Sequence, residues 1–94
     1  MTKRDKYLRR AYDGFTERQF KAMVRLQSGV CKICGRSPKR GKNLNVDHDH
    51  KTKRIRGALC FFCNHRLLGR GRENPDHHER AAAYLKSDFD GRTL

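Results

Sequence analysis

Hydrophobic positions in the N-terminal third of the chain recur at the three- and four-residue spacing of an amphipathic helix. Thr16 precedes this pattern, Gln19 follows it three residues later as in a capping box, and Gly29 supplies a stop. The sequence therefore predicts a helix over residues 15–29 that buries one face. The apolar stripe of this helix consists of Phe20, Met23 and Val24.

The middle of the chain alternates between apolar and polar residues, which is typical of strands with one buried face. Residues 44–48 and residues 55–59 both show this period, and a polar turn at residues 51–54 separates them. The pattern predicts an antiparallel hairpin. Because the spacing becomes helical over residues 61–68, we expect a hairpin followed by a helix within residues 30–68.

The two ends of the chain carry weaker patterns. Residues 1–14 are basic and predict an arm or a short helix. Asp76 and Glu79 form a second capping-box pattern, which predicts a C-terminal helix over residues 76–87 that opens at Asp76. Residues after Ser87 are expected to fray, as chain ends commonly do.

Cysteine spacing supplies a means of stabilising a small core. With 94 residues, of which 35% are apolar, the chain should form one domain with little buried surface. All four cysteines fall into two Cys-x-x-Cys pairs, Cys31 with Cys34 and Cys60 with Cys63. Two such pairs complete a tetrahedral zinc site with no open position. The sequence predicts structural zinc, and a reduced, metal-free thiol cluster is the alternative.

The charge of the chain indicates an anionic partner. Net charge is +13, from 23 Lys and Arg against 10 Asp and Glu, which favours nucleic acid over a membrane surface or a merely solvated surface. The chain start lacks the apolar stretch of a signal peptide and no run reaches membrane-spanning length, so a cytoplasmic protein without a membrane partner is expected. The candidate DNA-contact residues are Lys39, Arg40, Lys42, Lys51, Lys53, Arg54 and Arg56.

The only two carboxylates between Glu17 and Glu73 lie inside this basic region, at positions 47 and 49. Asp47 and Asn64 offer oxygen ligands of the kind that magnesium and manganese prefer, and a hairpin joined to a helix would bring them together. His48 is the candidate general base, since histidine titrates near neutral pH. The alternative is a polar turn at Asp47 and His48, with Asn64 capping a helix.

The complete pattern resembles the recombination endonuclease VII family, a phage branch of the HNH nucleases. The residues that carry this resemblance are Cys31-x-x-Cys34, Asp47-His48-Asp49-His50, Arg56-Gly57-Ala58-Leu59-Cys60-x-x-Cys63-Asn64, and the later stretch Tyr84-Leu85-Lys86-Ser87-Asp88-Phe89.

The resemblance implies a small α+β, zinc-stapled ββα-metal (HNH, His-Me finger) domain with flanking helices. It implies that Asp47 and Asn64 hold a catalytic Mg²⁺ or Mn²⁺, that His48 is the general base, and that His50 supports the scissile phosphate. DNA would then be cut to leave 5′-phosphate and 3′-hydroxyl ends. The resemblance also implies a phage-encoded protein that acts in the cytoplasm of the host cell.

Two departures from the family pattern shape the expected activity. Leu67 occupies a position where some relatives carry a carboxylate, and the sequence lacks the long C-terminal helical region of junction-resolving members. We therefore expect nicking or structure-selective cleavage, by a monomer or a homodimer. The alternative function is a non-catalytic zinc module that binds nucleic acid as a packaging or regulatory accessory.

Overall fold

A two-stranded antiparallel sheet separates two N-terminal helices from the C-terminal helical segments along the chain. The computed structural model describes residues 1–67 and 75–94. This architecture confirms the predicted small α+β fold. Within the described residues, no helix has the length and apolar character needed to span a membrane. The elements are α1 (Lys3–Ala11), α2 (Glu17–Leu26), β1 (Asn45–His48), β2 (Ile55–Leu59), a π-helical segment (Phe62–Leu67), α3 (Pro75–Lys86) and a 3₁₀ turn (Gly91–Thr93).

A single carboxylate joins α1 to α2. The N–H of Asp5 donates to the hydroxyl of Thr2, which caps α1, at 2.9 Å. The Asp5 carboxylate accepts the N–H of Glu17 at 2.8 Å and Nε of Arg9 at 2.6 Å. Since the first N–H groups of a helix have no partner within it, Asp5 satisfies one of the unpaired donors of α2. Leu8 is 1% exposed and anchors α1 in the core, so the basic N-terminal segment is a docked helix.

The capping box of α2 is present. The N–H of Gln19 donates to the Thr16 hydroxyl at 3.1 Å, and the N–H of Thr16 donates to the Gln19 side chain at 2.9 Å. Beyond the helix, Ser28 and Gly29 have φ of 56° and 76°, and the N–H of Gly29 donates to the carbonyl of Val24 at 2.9 Å. This left-handed turn ends α2 and leads the chain into the first cysteine pair.

The hairpin contains a β-bulge at the point where the polar residues lie. Asp47 pairs with Gly57, but the next residue, His48, pairs with Ile55. Arg56 is therefore an additional residue in β2, and a bulge of this kind changes the direction in which nearby side chains point. The bulge lets the Arg56 side chain reach back to Asp47.

The C-terminal residues pack against the hairpin. The Asp90 carboxylate accepts the N–H of Ile55 at 3.1 Å. Gly91 is buried so tightly that a Cβ atom there would lie 2.9 Å from Ile55 Cγ2 and 2.9 Å from Met23 Sδ. The expectation that residues after Ser87 fray was wrong, because Asp90 satisfies a backbone donor of β2 and this segment covers the core.

The first residue of helix α3 also differs from the prediction. The helix already includes Pro75, so Asp76 lies in the first turn and not at the cap. Proline suits a first turn because the N–H that it lacks would be unpaired there. On the inner side of α3, Ala81 and Tyr84 are each 6% exposed, which places Tyr84 against the hairpin.

Candidate active site and metal centre

The four cysteines converge where the two Cys-x-x-Cys segments meet. Their Sγ atoms all lie within 4.8 Å of one another, and those of Cys34 and Cys60 are 3.7 Å apart. A tetrahedral zinc site with Zn–S bonds of about 2.3 Å has sulfur atoms about 3.8 Å apart, so this separation fits zinc. Gly35, at φ 75°, donates its N–H to the carbonyl of Cys31 at 3.0 Å and closes the turn formed by the first Cys-x-x-Cys segment. The cluster can therefore bind a structural zinc ion.

The electrostatics of the thiols favour a cation at their centre. Burial raises the pKa of the Cys63 and Cys34 thiols. Burial acts in the same direction on Cys31, but the N–H groups of Cys34 and Cys60 outweigh it and lower the pKa of that thiol. Without a cation, Cys34 and Cys63 stay protonated at neutral pH. A bound zinc ion would favour all four thiolates and release protons as it binds.

Asp47 lies in a buried position on β1, and its carboxylate accepts several hydrogen bonds. The residue is 7% exposed. Its carboxylate accepts Nε of Arg56 at 2.8 Å and Nη2 of the same guanidinium at 3.0 Å. The hydroxyl of Tyr84, on α3, donates to it at 2.7 Å. The carboxylate is thus held by three hydrogen bonds, two of them from a bidentate ion pair.

His48 follows Asp47 and is half-buried. Its ring lies edge-on to Tyr12, with centroids 5.2 Å apart, and 4.6 Å from the ring of His50, which is exposed. Burial lowers the pKa of His48, and the neighbouring His50 lowers it further, although Asp47 acts in the opposite direction. The lowered pKa favours the neutral imidazole, which is the form that accepts a proton.

Asn64 occupies the π-helical segment directly after Cys63, where its N–H donates to the carbonyl of Cys60 at 3.0 Å. It lines a cavity of about 480 Å³ between α1 and the residues that lead into β1. Tyr12 lines the same cavity and contacts His48. Tyr12 therefore borders both the cavity that contains Asn64 and the ring of the candidate base, while the Asp47 carboxylate is directed towards Arg56 and Tyr84.

The candidate DNA-contact residues fall into two groups. Those in the two loops flanking β1 are exposed, whereas Arg54 and Arg56 are half-buried. Nε of Arg54 has no hydrogen-bond partner among the described residues. In the loop that joins β1 to β2, the Asp49 carboxylate accepts the N–H groups of Lys51 and Thr52 at 2.8 and 3.0 Å and shapes the hairpin turn. The exposed cations among these candidate DNA-contact residues are Lys39, Arg40, Lys42, Lys51 and Lys53.

Sequence reasoning missed two side chains that surround the site and did not predict the ion pair made by a third. Tyr84 lies 37 positions after its partner Asp47, and Tyr12 contacts His48 from the N-terminal helix; neither sequence neighbourhood contains a sign of these contacts. Arg56 was predicted as a DNA contact, whereas in the structure its guanidinium pairs with Asp47. The opposite charges of Arg56 and Asp47 on facing strands were the available signal.

The hairpin, the four-cysteine cluster and the helical segment that follows them define a small α+β domain with a candidate zinc site. The recombination endonuclease VII family matches residues 5–87, and the chain belongs to this family.

Two phage proteins are similar to this chain. The Gene 59 protein of Mycobacterium phage D29 is 42% identical over 73 residues, which cover 78% of this chain and 44% of that protein. The Gene 59 protein of Mycobacterium phage L5 is 42% identical over 72 residues, covering 77% of this chain and 44% of that protein. The chain thus matches less than half the length of these relatives. No solved structure matches it.

Proposed function

We propose that this chain is a metal-dependent DNA endonuclease that nicks DNA or cuts it selectively by structure, leaving 5′-phosphate and 3′-hydroxyl ends. The observation that carries the proposal is the position of His48. Its ring follows Asp47 on β1 and contacts Tyr12, which also lines the cavity containing Asn64. Family membership and the net charge of +13 support DNA as the substrate.

In the proposed reaction, His48 accepts a proton from water as the water oxygen attacks phosphorus. The bond between phosphorus and the 3′ oxygen breaks, and that oxygen gains a proton from solvent. His50 orients the phosphate from its position 4.6 Å from His48. Asp47 and Asn64 would hold Mg²⁺ or Mn²⁺, which when bound neutralises charge on the phosphate and on the departing oxygen. The cysteine cluster would hold its zinc ion for stability alone, since four thiolates leave no open position.

The hydrogen bonds of Asp47 do not use every acceptor site of its carboxylate. A carboxylate has about four lone-pair sites, and the hydrogen bonds from Arg56 and Tyr84 use three of them. One site is left for a cation. The same contacts favour the second candidate function, a zinc module that binds nucleic acid without cutting it, because the negative charge of Asp47 is already balanced by Arg56.

Incubating zinc-loaded protein with supercoiled, linear and branched DNA tests the proposal. Each substrate is combined with added magnesium, with added manganese, or with neither. We expect nicked or cut products that need the added cation. His48→Ala should abolish them, whereas His78→Ala, which removes an exposed histidine of α3, should not. DNA binding without cleavage under every condition would support the non-catalytic module.

Because its relatives are phage proteins, we propose that the protein is phage-encoded and acts in the host cell. Sedimentation of the zinc-loaded protein, with and without DNA, would distinguish a monomer from a homodimer.

A further inference from the structure

The cavity beside Asn64 has a wall that the proposed reaction does not use. Helix α1 contributes Arg4 and Tyr7, and the opposite side is formed by Lys42, Asn64 and His65. The cavity measures about 480 Å³, which lies within the range of small-ligand sites. It opens between an aromatic helix and a basic loop, and Tyr12 separates it from His48.

The aromatic side chain of Tyr7 is available for contact. Tyr7 is 57% exposed, although its ring lies 6.4 Å from that of Tyr12 at an interplanar angle of 90°. The edge-to-face contact limits the motion of both rings and costs little of the exposed surface of Tyr7. An exposed aromatic ring at the rim of a basic cavity is the feature on which nucleic acid bases stack.

The charged side chains of the cavity are also available. The Arg4 guanidinium lies over the Phe20 ring at 4.5 Å from its centroid, and Arg4 also lines the cavity. Among residues 1–67 and 75–94, neither Arg4 nor Lys42 has a carboxylate within ion-pair distance. A planar guanidinium without an acidic partner is well suited to a phosphate.

We propose that this cavity binds one nucleotide of the DNA strand next to the bond that is cut, with the base stacked on Tyr7 and the phosphate held by Arg4 and Lys42. This inference rests on the proposed function, because it assumes that the protein cuts the bound strand. It deepens that function by assigning α1 to substrate binding. A nucleotide fits better than a peptide because the cavity combines a stacking surface with two unpaired cations. Its neighbour Asn64 would then lie beside the same strand.

The test measures binding without cleavage. Zinc-loaded protein with no added magnesium is titrated with short single strands and nicked duplexes that carry 2-aminopurine at successive positions. We expect fluorescence quenching at one position. Tyr7→Ala should abolish that quenching and weaken binding by about tenfold, the loss of one base–aromatic stack, whereas Tyr7→Phe should bind like the native protein because it keeps the ring.

Arg4→Ala and Arg10→Ala form a matched pair. Both remove one cation from α1, but only Arg4 lines the cavity, so Arg4→Ala should weaken binding more. Far-ultraviolet circular dichroism of each variant checks that α1 remains folded. If Tyr7→Ala quenches normally, and Arg4→Ala binds as Arg10→Ala does, the nucleotide site is overturned.

Cleavage in magnesium, measured separately, distinguishes this proposal from the proposed function. Cleavage by the native protein together with unchanged binding by Tyr7→Ala would overturn the cavity and leave the endonuclease intact. Binding that depends on Tyr7, in a protein that cuts no substrate, would support the nucleotide site and overturn the endonuclease.

Discussion

Arg56 and Asp47 face each other across the bulge of the hairpin, with Nε and Nη2 of the guanidinium bonded to the two carboxylate oxygens at 2.8 and 3.0 Å. The side chains are 19% and 9% exposed, respectively. Breaking a shielded pair of this kind leaves a charge without a partner, and that costs more than the pair contributes. The pair therefore controls how Asp47 responds to substitution.

Arg56→Gln should destabilise the protein by about 3 kcal/mol, since it leaves the buried Asp47 charge with only Tyr84 as a partner. Asp47→Asn combined with Arg56→Gln should cost clearly less than the sum of the two single substitutions. Urea denaturation of all four proteins, without added magnesium, gives the coupling energy. Additive losses would show that the pair contributes nothing specific.

Tyr84→Phe should lower stability by about 2 kcal/mol, because it removes a hydrogen bond to a charged and buried acceptor. Tyr7→Phe is the matched control: the Tyr7 hydroxyl bonds to that of Tyr12, a neutral group, and because Tyr7 is 57% exposed, water can replace that bond and stability should change little. Equal melting temperatures for the two variants would contradict the importance of the contact between α3 and Asp47.

Cys34→Ser and Cys60→Ser should each lose zinc and the cooperative thermal transition. The binding energy of a four-cysteine site, on the order of 10 kcal/mol, is largely folding energy. Ser37→Ala changes an exposed residue three positions after Cys34 and should retain both. Zinc content by atomic absorption and melting by circular dichroism are the measurements. A cysteine variant that melts normally without zinc would show that the cluster is not needed for stability.

Asp5 makes part of the stability depend on acid pH. The N–H of Glu17 and the side chain of Arg9 lower the pKa of Asp5 below 3.8. Its contribution is therefore complete above pH 3.8 and is lost as pH falls through the lower folded value. Asp5→Asn should be less stable than the native protein at pH 6, and this difference should shrink below pH 4.

Comparing the two proteins at each pH cancels the acid sensitivity of the cysteine site, because both contain it. Urea denaturation from pH 6 to pH 3 provides the values. A difference that stayed constant over this range would mean that Asp5 does not titrate with folding.

DNA affinity should fall steeply with salt if the loops around the hairpin contact phosphates, with a slope of about one unit per phosphate. Neutralising three cations in either loop should flatten the slope, and neutralising three exposed cations of α2 should not. The competing expectation is that both loops stay free of DNA, while the basic residues before Asp13 supply all of the grip, or Arg70 and Arg72, which lie outside the described residues, do so. The loop sets are Lys39, Arg40 and Lys42, and Lys51, Lys53 and Arg54; the control set is Arg18, Lys21 and Arg25.

Unchanged slopes for both loop sets would show that DNA is not centred on the hairpin. Sequence preference should stay the same in every variant, since backbone contacts carry no base information.

Local patterns determined much of this protein. The capping box of Thr16 and Gln19, the alternation of the two strands and the doubled Cys-x-x-Cys spacing each act over a few residues, so each could be read directly from the sequence. The Asp47-His48 pair was also visible as a candidate site, because a short polar sequence in a basic region is a local feature.

The surroundings of those residues were decided only by the tertiary structure. Tyr84 reaches Asp47 from α3 and Tyr12 reaches His48 from the end of α1, and no local pattern records which helix packs against which face of the hairpin. The bulge that turns Arg56 towards Asp47 depends on strand register. Register and helix docking are set by the burial of the whole core, which favours one packing among many that the local patterns allow.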